Sequence, residues 1–179
     1  DSGNWSFTVP TSTALSDGSH AITATATNSA GSTSPASPAL TIKIDSAAPN
    51  TSSSITRITD NVGFKKGNLA NNARTDDRKP TLSGTLTRNL SSGDTLRIYS
   101  GNAFLGNATV KAKTWSFTPR TNLATNRTHS FTARVADAAG NLSPASNTRR
   151  LTLDNSAPAA RSKITRITDN VGFKKGNLA

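Results

Sequence analysis

A string of sixteen residues, ITRITDNVGFKKGNLA, runs from Ile55 to Ala70 and returns unchanged from Ile164 to Ala179. Weaker landmarks carry the same offset of 109 residues. His20 answers to His129, the SPAS of Ser34–Ser37 to that of Ser143–Ser146, and Asp45 with Pro49 to Asp154 with Pro158. Trp5 answers to Trp115 at an offset of 110, which places a one-residue length change in the loop after that strand. Solenoid units are built from about 20–45 residues, so a period this long describes a whole small domain. The chain is therefore expected to be out of phase with its domains. Residues 1–49 form the closing part of one unit, 50–158 a complete unit, and 159–179 the opening of a third.

Within the complete unit the apolar residues recur with a period of two. Ile55 and Ile58 mark a first strand, and Leu82, Gly84 and Leu86 share one face of PTLSGTL. Leu96 and Ile98 do the same in DTLRIYS, and a strand over Phe104 to Val110 follows the turn at Ser100-Gly101-Asn102. TWSFT carries Trp115 and Phe117, THSFTARVA carries Phe131, Ala133 and Val135, and RRLTLD carries Leu151 and Leu153. About seven short strands separated by turn signals predict an all-β, antiparallel sandwich with one wet and one buried face per strand. Composition agrees: Thr is abundant, Glu and Met are absent, and all 10 acidic residues are Asp. The earlier partial unit keeps the inward positions apolar and lets the outward ones drift. Ile22, Ala24 and Ala26 stand for Phe131, Ala133 and Val135, whereas Thr25 stands for Arg134. Trp5 and Trp115 are both expected in the core, with Phe117 on the same side as Trp115 and Ser116 facing out.

The sequence has no cysteine, so the fold must rest on its core, its length or bound ions. A run of about 18 apolar residues, the length needed to span a bilayer as a helix, is absent. The chain opens at Asp1 without a leader and reads as an internal piece of a longer protein. Its formal charge is +11, from 21 Lys and Arg against 10 Asp. Such a balance fits either a polyanion partner or a solvated surface that keeps an elongated protein soluble. Catalysis is not expected. His20 and His129 hold equivalent positions at the starts of core strands, which makes them packing or edge residues. The adjacent carboxylates Asp76 and Asp77 would point to opposite faces of a strand, which is unsuited to a glycosidase pair.

A set of motifs points further. GNWSFT at Gly3–Thr8 and DGSHAITATATNSAGSTSPAS at Asp17–Ser37 open the series. The complete unit supplies TDDRKPTLSGTL, LRIYSGNAFLGNATV, TWSFTP, HSFTARVADAAGNLSPAS and LDNSAPAA. Together they resemble the bacterial immunoglobulin-like repeats of large secreted adhesins and biofilm-associated surface proteins. The resemblance implies tandem immunoglobulin-like sandwiches that contact neighbouring repeats of the same chain. It also implies an extracellular, rod-like array at the bacterial cell surface, exported by a type I system. Relatives of this kind often bind Ca²⁺ near domain junctions.

That implication singles out four carboxylates. Asp154 ends the last strand and Asp169 follows the first strand of the next unit, with Asp45 and Asp60 repeating the arrangement one unit earlier. Hard cations need several oxygen ligands, which Asp and loop carbonyls supply. The same residues equally suit turns and strand ends, and Lys65, Lys66, Arg74, Arg78 and Lys79 crowd them. The leading expectation is a structural spacer that presents a distal binding region for adhesion or biofilm formation. A module that binds matrix DNA or acidic glycans directly is the alternative. A carbohydrate-binding accessory domain would need an exposed aromatic platform, and Tyr99 is the only tyrosine.

Overall fold

β-Branched and aromatic side chains alternating with polar ones suit a pleated sheet, and the chain follows that preference almost throughout. The structure, a computed structural model, describes residues 3–64, 66–169 and 176–178. In chain order the strands are β1 (Gly18–Ile22), β2 (Leu40–Ile44), β3 (Ser53–Asp60), β4 (Gly67–Leu69), β5 (Ala73–Thr75), β6 (Thr81–Leu86) and β7 (Thr95–Ser100). They continue with β8 (Ala103–Asn107), β9 (Thr109–Lys111), β10 (Thr114–Phe117), β11 (Arg127–Ala136), β12 (Arg149–Leu153), β13 (Ile167–Asp169) and β14 (Gly176–Leu178). The only helical turn among the described residues is a 3-10 turn at Thr11–Thr13.

Strands β3 to β12 build two five-stranded sheets, ordered β4-β3-β6-β10-β9 and β5-β12-β11-β7-β8. Their inner faces meet in one core. Ile55, Ile58, Leu82, Leu86, Trp115 and Phe117 come from the first sheet, and Leu96, Ile98, Phe131, Ala133, Val135, Leu151 and Leu153 from the second. This is the expected all-β sandwich, with more strands than the seven expected from sequence. Residues Phe104 to Val110 form two strands rather than one. The chain leaves the second sheet after β8, anchors Ala108 N–H on the Leu96 carbonyl at 2.8 Å, and enters the first sheet as β9. The three-residue strands β4 and β5 are too short to leave a period of two. β5 also runs parallel to β12, the one departure from antiparallel pairing among the described strands.

Local irregularities tune this core. A register shift between Ile55 and Arg57 turns both Ile55 and Ile58 inward, although three residues separate them. Trp115 and Phe117 are both buried with Ser116 outward, as expected. Trp115 stands directly opposite Gly84 of β6 and donates its indole N–H to the Thr85 carbonyl at 3.3 Å. A Cβ at Gly84 would overlap the Ser54 carbonyl and the Trp115 ring, so the glycine is the space the indole fills.

The flanking segments copy parts of this unit. β1 pairs with β2 in the same register, shifted by 109 residues, as β11 with β12. β13 and β14 likewise copy β3 and β4. The expectation that both tryptophans are buried fails for Trp5, which is 71% exposed, as is Phe7 at 73%. Trp115 is flanked by β6 and β9 on either side of β10; the residues described for the first segment include no counterpart of either strand.

Candidate functional site

Chain direction gives the sandwich two poles. The chain enters at Thr51, which is buried, and Ser52, whose N–H donates to Thr87 Oγ1 at 3.0 Å. β3 then runs to Asp60 at the opposite pole, about 23 Å away at the usual rise per strand residue. β12 ends at that same far pole, where Asp154 N–H donates to the Thr75 carbonyl at 2.9 Å. The chain thus enters at one pole and leaves at the other.

The exit pole gathers carboxylates. Asp60 is buried, takes the Val62 N–H on Oδ1 at 2.9 Å, and accepts the Thr75 hydroxyl on Oδ2. Asp77, also buried, accepts the Asn61 N–H on Oδ2 at 2.9 Å and the Lys79 N–H on Oδ1 at 2.8 Å. These two side chains substitute for backbone acceptors in the loops that close the pole, a role short oxygen-bearing side chains fill well. Asp154 pairs with Arg74 at 2.7 Å and accepts the Ser156 N–H at 3.1 Å. The Ser156 N–H first, and then Arg74, hold its carboxyl below the usual value of 3.8. A shallow depression of about 280 Å³ lies between Asp60, Arg74, Asp76 and Asp154, with the fully exposed Phe64 at its rim.

The entry pole is organised by the turn after β11. Asp137 Oδ1 accepts the Asn141 N–H at 2.8 Å, and its Oδ2 accepts the Asn141 side-chain amide at 2.9 Å. That amide contact is the main cause of a lowered Asp137 pKa, ahead of the turn's backbone N–H groups. In the earlier copy Asn28 Oδ1 accepts the N–H groups of Ala30 and Ser32, both at 3.0 Å, so an amide does the same work there. Asn141 also reaches across the linker and donates to the main-chain carbonyl of Asp45 at 2.9 Å.

Of the four carboxylates singled out from sequence, the structure brings Asp60 and Asp154 to one pole, both beside Thr75. Asp45 and Asp60 are held at opposite ends of the unit rather than across one junction, because β3 lies between them. Asp45 accepts the Ala47 N–H at 3.2 Å. The backbone of Asp169 ends β13, and its side chain lies outside the described residues. Among the described residues no three His, Asp, Glu or Cys side chains are grouped so as to hold a metal ion.

Sequence reasoning noticed SPAS as a landmark without seeing its use. Ser143 Oγ accepts the Val135 N–H and Ser146 Oγ accepts the Ala133 N–H, each at 2.9 Å. The backbone N–H groups of both serines answer to the carbonyls of those residues. Ser34 with Ala26, and Ser37 with Ala24, repeat the arrangement in the first copy. The motif extends the sheet past a proline that cannot donate. His129 is a buried packing residue: its Nε2–H donates to the Ala124 carbonyl at 2.8 Å, Nδ1 lies 3.1 Å from Ser100 Oγ, and its ring stacks on Phe131.

A protein-family model described as bacterial Ig-like domain matches residues 1–46 and 53–155. No curated protein sequence matches the chain. No helix among the described residues is long and apolar enough to cross a membrane.

Proposed function

The chain belongs to the bacterial Ig-like domain family, whose members are typically non-catalytic modules of surface and extracellular proteins, and from that premise we propose that it is a spacer segment of a cell-surface adhesin. The observation that carries this reading is the pole-to-pole course of the chain. Entry at Thr51 and exit at Asp154 lie at opposite ends of the sandwich, so a following unit extends the molecule instead of folding back beside it. The 109-residue repeat supplies that following unit with the same sequence from Ile55 of β3 through β4. Exposed Val62 and Phe64 at the exit pole offer apolar surface for it to pack on. Function is then length and presentation: a distal binding region held away from the envelope, serving adhesion or biofilm formation, after export by a type I route.

Small-angle scattering from chains of one, two, four and six 109-residue units tests the reading. The ten-residue β11 alone implies about 33 Å of length per unit. The maximum dimension is expected to rise by at least that increment with each unit added. Growth that levels off would mean the units fold back on one another, and the spacer reading would fall.

A further inference from the structure

The outward face of sheet β5-β12-β11-β7-β8 carries four arginines and no carboxylate on its strands. Arg74, Arg150, Arg134 and Arg97 lie on β5, β12, β11 and β7, and Arg74 is paired with Asp154. Arg97, Arg134 and Arg150 have no carboxylate partner among the described residues. Arg97 and Arg134 stand directly opposite each other in the antiparallel β7–β11 pair, an arrangement in which like charges destabilise a sheet. A solvated surface gains nothing from that placement.

Two further observations lie beside it. Tyr99 and the exposed Phe104 form an aromatic pair with ring centres 5.7 Å apart, and the Arg97 guanidinium sits 5.9 Å from the Phe104 ring centre. The loop after β11 walls a groove of about 460 Å³ whose lining includes Tyr99, Asn102, Ser130, Thr132, Arg134 and Arg150. Two forked cations, a ring, two hydroxyls and an amide therefore line one concave surface. The preceding unit lacks this chemistry: Thr25, Ala21 and Thr41 stand where Arg134, Ser130 and Arg150 stand here.

We propose that this groove binds an acidic polysaccharide, a polyuronate chain, whose carboxylates meet Arg134 and Arg150 while a sugar ring lies against Tyr99. Guanidinium forks match carboxylates in two-point geometry, and a tyrosine offers an apolar face with a polar tip. Ser130, Thr132 and Asn102 suit the sugar hydroxyls. Duplex DNA is a poorer fit, because its readable groove admits a projecting helix or ribbon and this surface is concave. The site adds direct binding to a module otherwise read as a spacer, and does not depend on that reading.

The test titrates the whole 179-residue chain with an oligogalacturonate, an uncharged dextran oligomer of the same length, and a short DNA duplex, by calorimetry at two salt concentrations. The oligogalacturonate is expected to bind and the dextran not. Arg134→Gln with Arg150→Gln is expected to weaken binding by about tenfold or more, and Tyr99→Leu by severalfold. Arg57→Gln with Lys111→Gln removes the same charge from the other sheet and is expected to leave binding within about twofold, the change of a group outside the site. Equal losses from the two double variants would reduce the effect to net charge and overturn the site. Duplex DNA binding as tightly as the uronate, or no uronate binding at all, would overturn it equally.

Discussion

The side-chain amide of Asn141 donates to the main-chain carbonyl of Asp45, ninety-six positions earlier, at 2.9 Å. One hydrogen bond thus ties the end of one repeat to the entry pole of the next. Its donor is itself fixed, since Asp137 holds both the backbone and the side chain of Asn141. Asn141→Ala is expected to loosen residues 46–49 and to cost the folded unit about 1 kcal/mol, the usual net worth of such bonds. Backbone relaxation at Ser46, Ala47 and Ala48 checks the first effect and the urea midpoint the second. Unchanged relaxation would mean that linker packing, not this bond, sets the junction.

The Asp137 turn needs an acceptor oxygen more than it needs a charge, as Asn28 shows in the other copy. Asp137→Asn is expected to be mildly destabilising at pH 7 and Asp137→Ala clearly more so. The charge has a pH signature. Because the folded pKa is depressed below 3.8, its stabilisation is complete above the unfolded value and is lost as pH falls through the folded one. Thermal melts of Asp137→Asn and the parent chain should converge toward acid pH. Parallel curves down to the acid limit would remove any role for that charge.

Gly84 and Trp115 form a coupled pair. Trp115→Ala empties a core site and is expected to cost about 3–5 kcal/mol. Gly84→Ala drives a methyl into the Ser54 carbonyl and the indole, and overpacking of this kind costs about 1–3 kcal/mol or more. Removing the indole relieves only its share of that clash, so the double variant should lose less than the two singles together. Strict additivity in denaturant titrations would show that the two residues do not meet.

The sequence made the inner faces legible because burial on one face leaves a period of two. Leu82 with Leu86, Leu96 with Ile98, and Phe131 with Val135 could all be read from it. It could not reveal β4 and β5, whose three residues carry no period, nor the crossing between sheets at Ala108. Trp5 misled for another reason: burial depends on neighbouring strands, and matching Trp115 in sequence supplied none. The paired landmarks Asp45 and Asp60 were visible as residues. Their separation was not, since it follows from the direction of β3. The arginine face was hidden because Arg97, Arg134 and Arg150 are scattered in sequence and become neighbours only through strand register.

The donors already in place at the exit pole argue against calcium in a single unit. Asp60 accepts Val62 N–H and the Thr75 hydroxyl, and Asp77 accepts Asn61 N–H and Lys79 N–H. An ion taking these oxygens would strip buried N–H groups of their acceptors, a cost of about 1–3 kcal/mol for each. Asp154 and Asp76 are exposed enough to serve, but Arg74 occupies Asp154 at 2.7 Å, and two carboxylates fall short of the roughly six to eight oxygens Ca²⁺ requires. Millimolar Ca²⁺ is therefore expected to leave the melting temperature of residues 50–158 unchanged. The same titration on a chain carrying two complete units asks whether a neighbour supplies the missing ligands. A rise there that disappears in Asp154→Ala would place the ion at that junction, with the next unit's counterpart of Asp137, at its entry pole, the first ligand to test; Asp169, the copy of Asp60, would lie at that unit's far pole. A rise already present in the single unit would mean that the exit-pole carboxylates can exchange their hydrogen bonds for a cation, contrary to the expectation here.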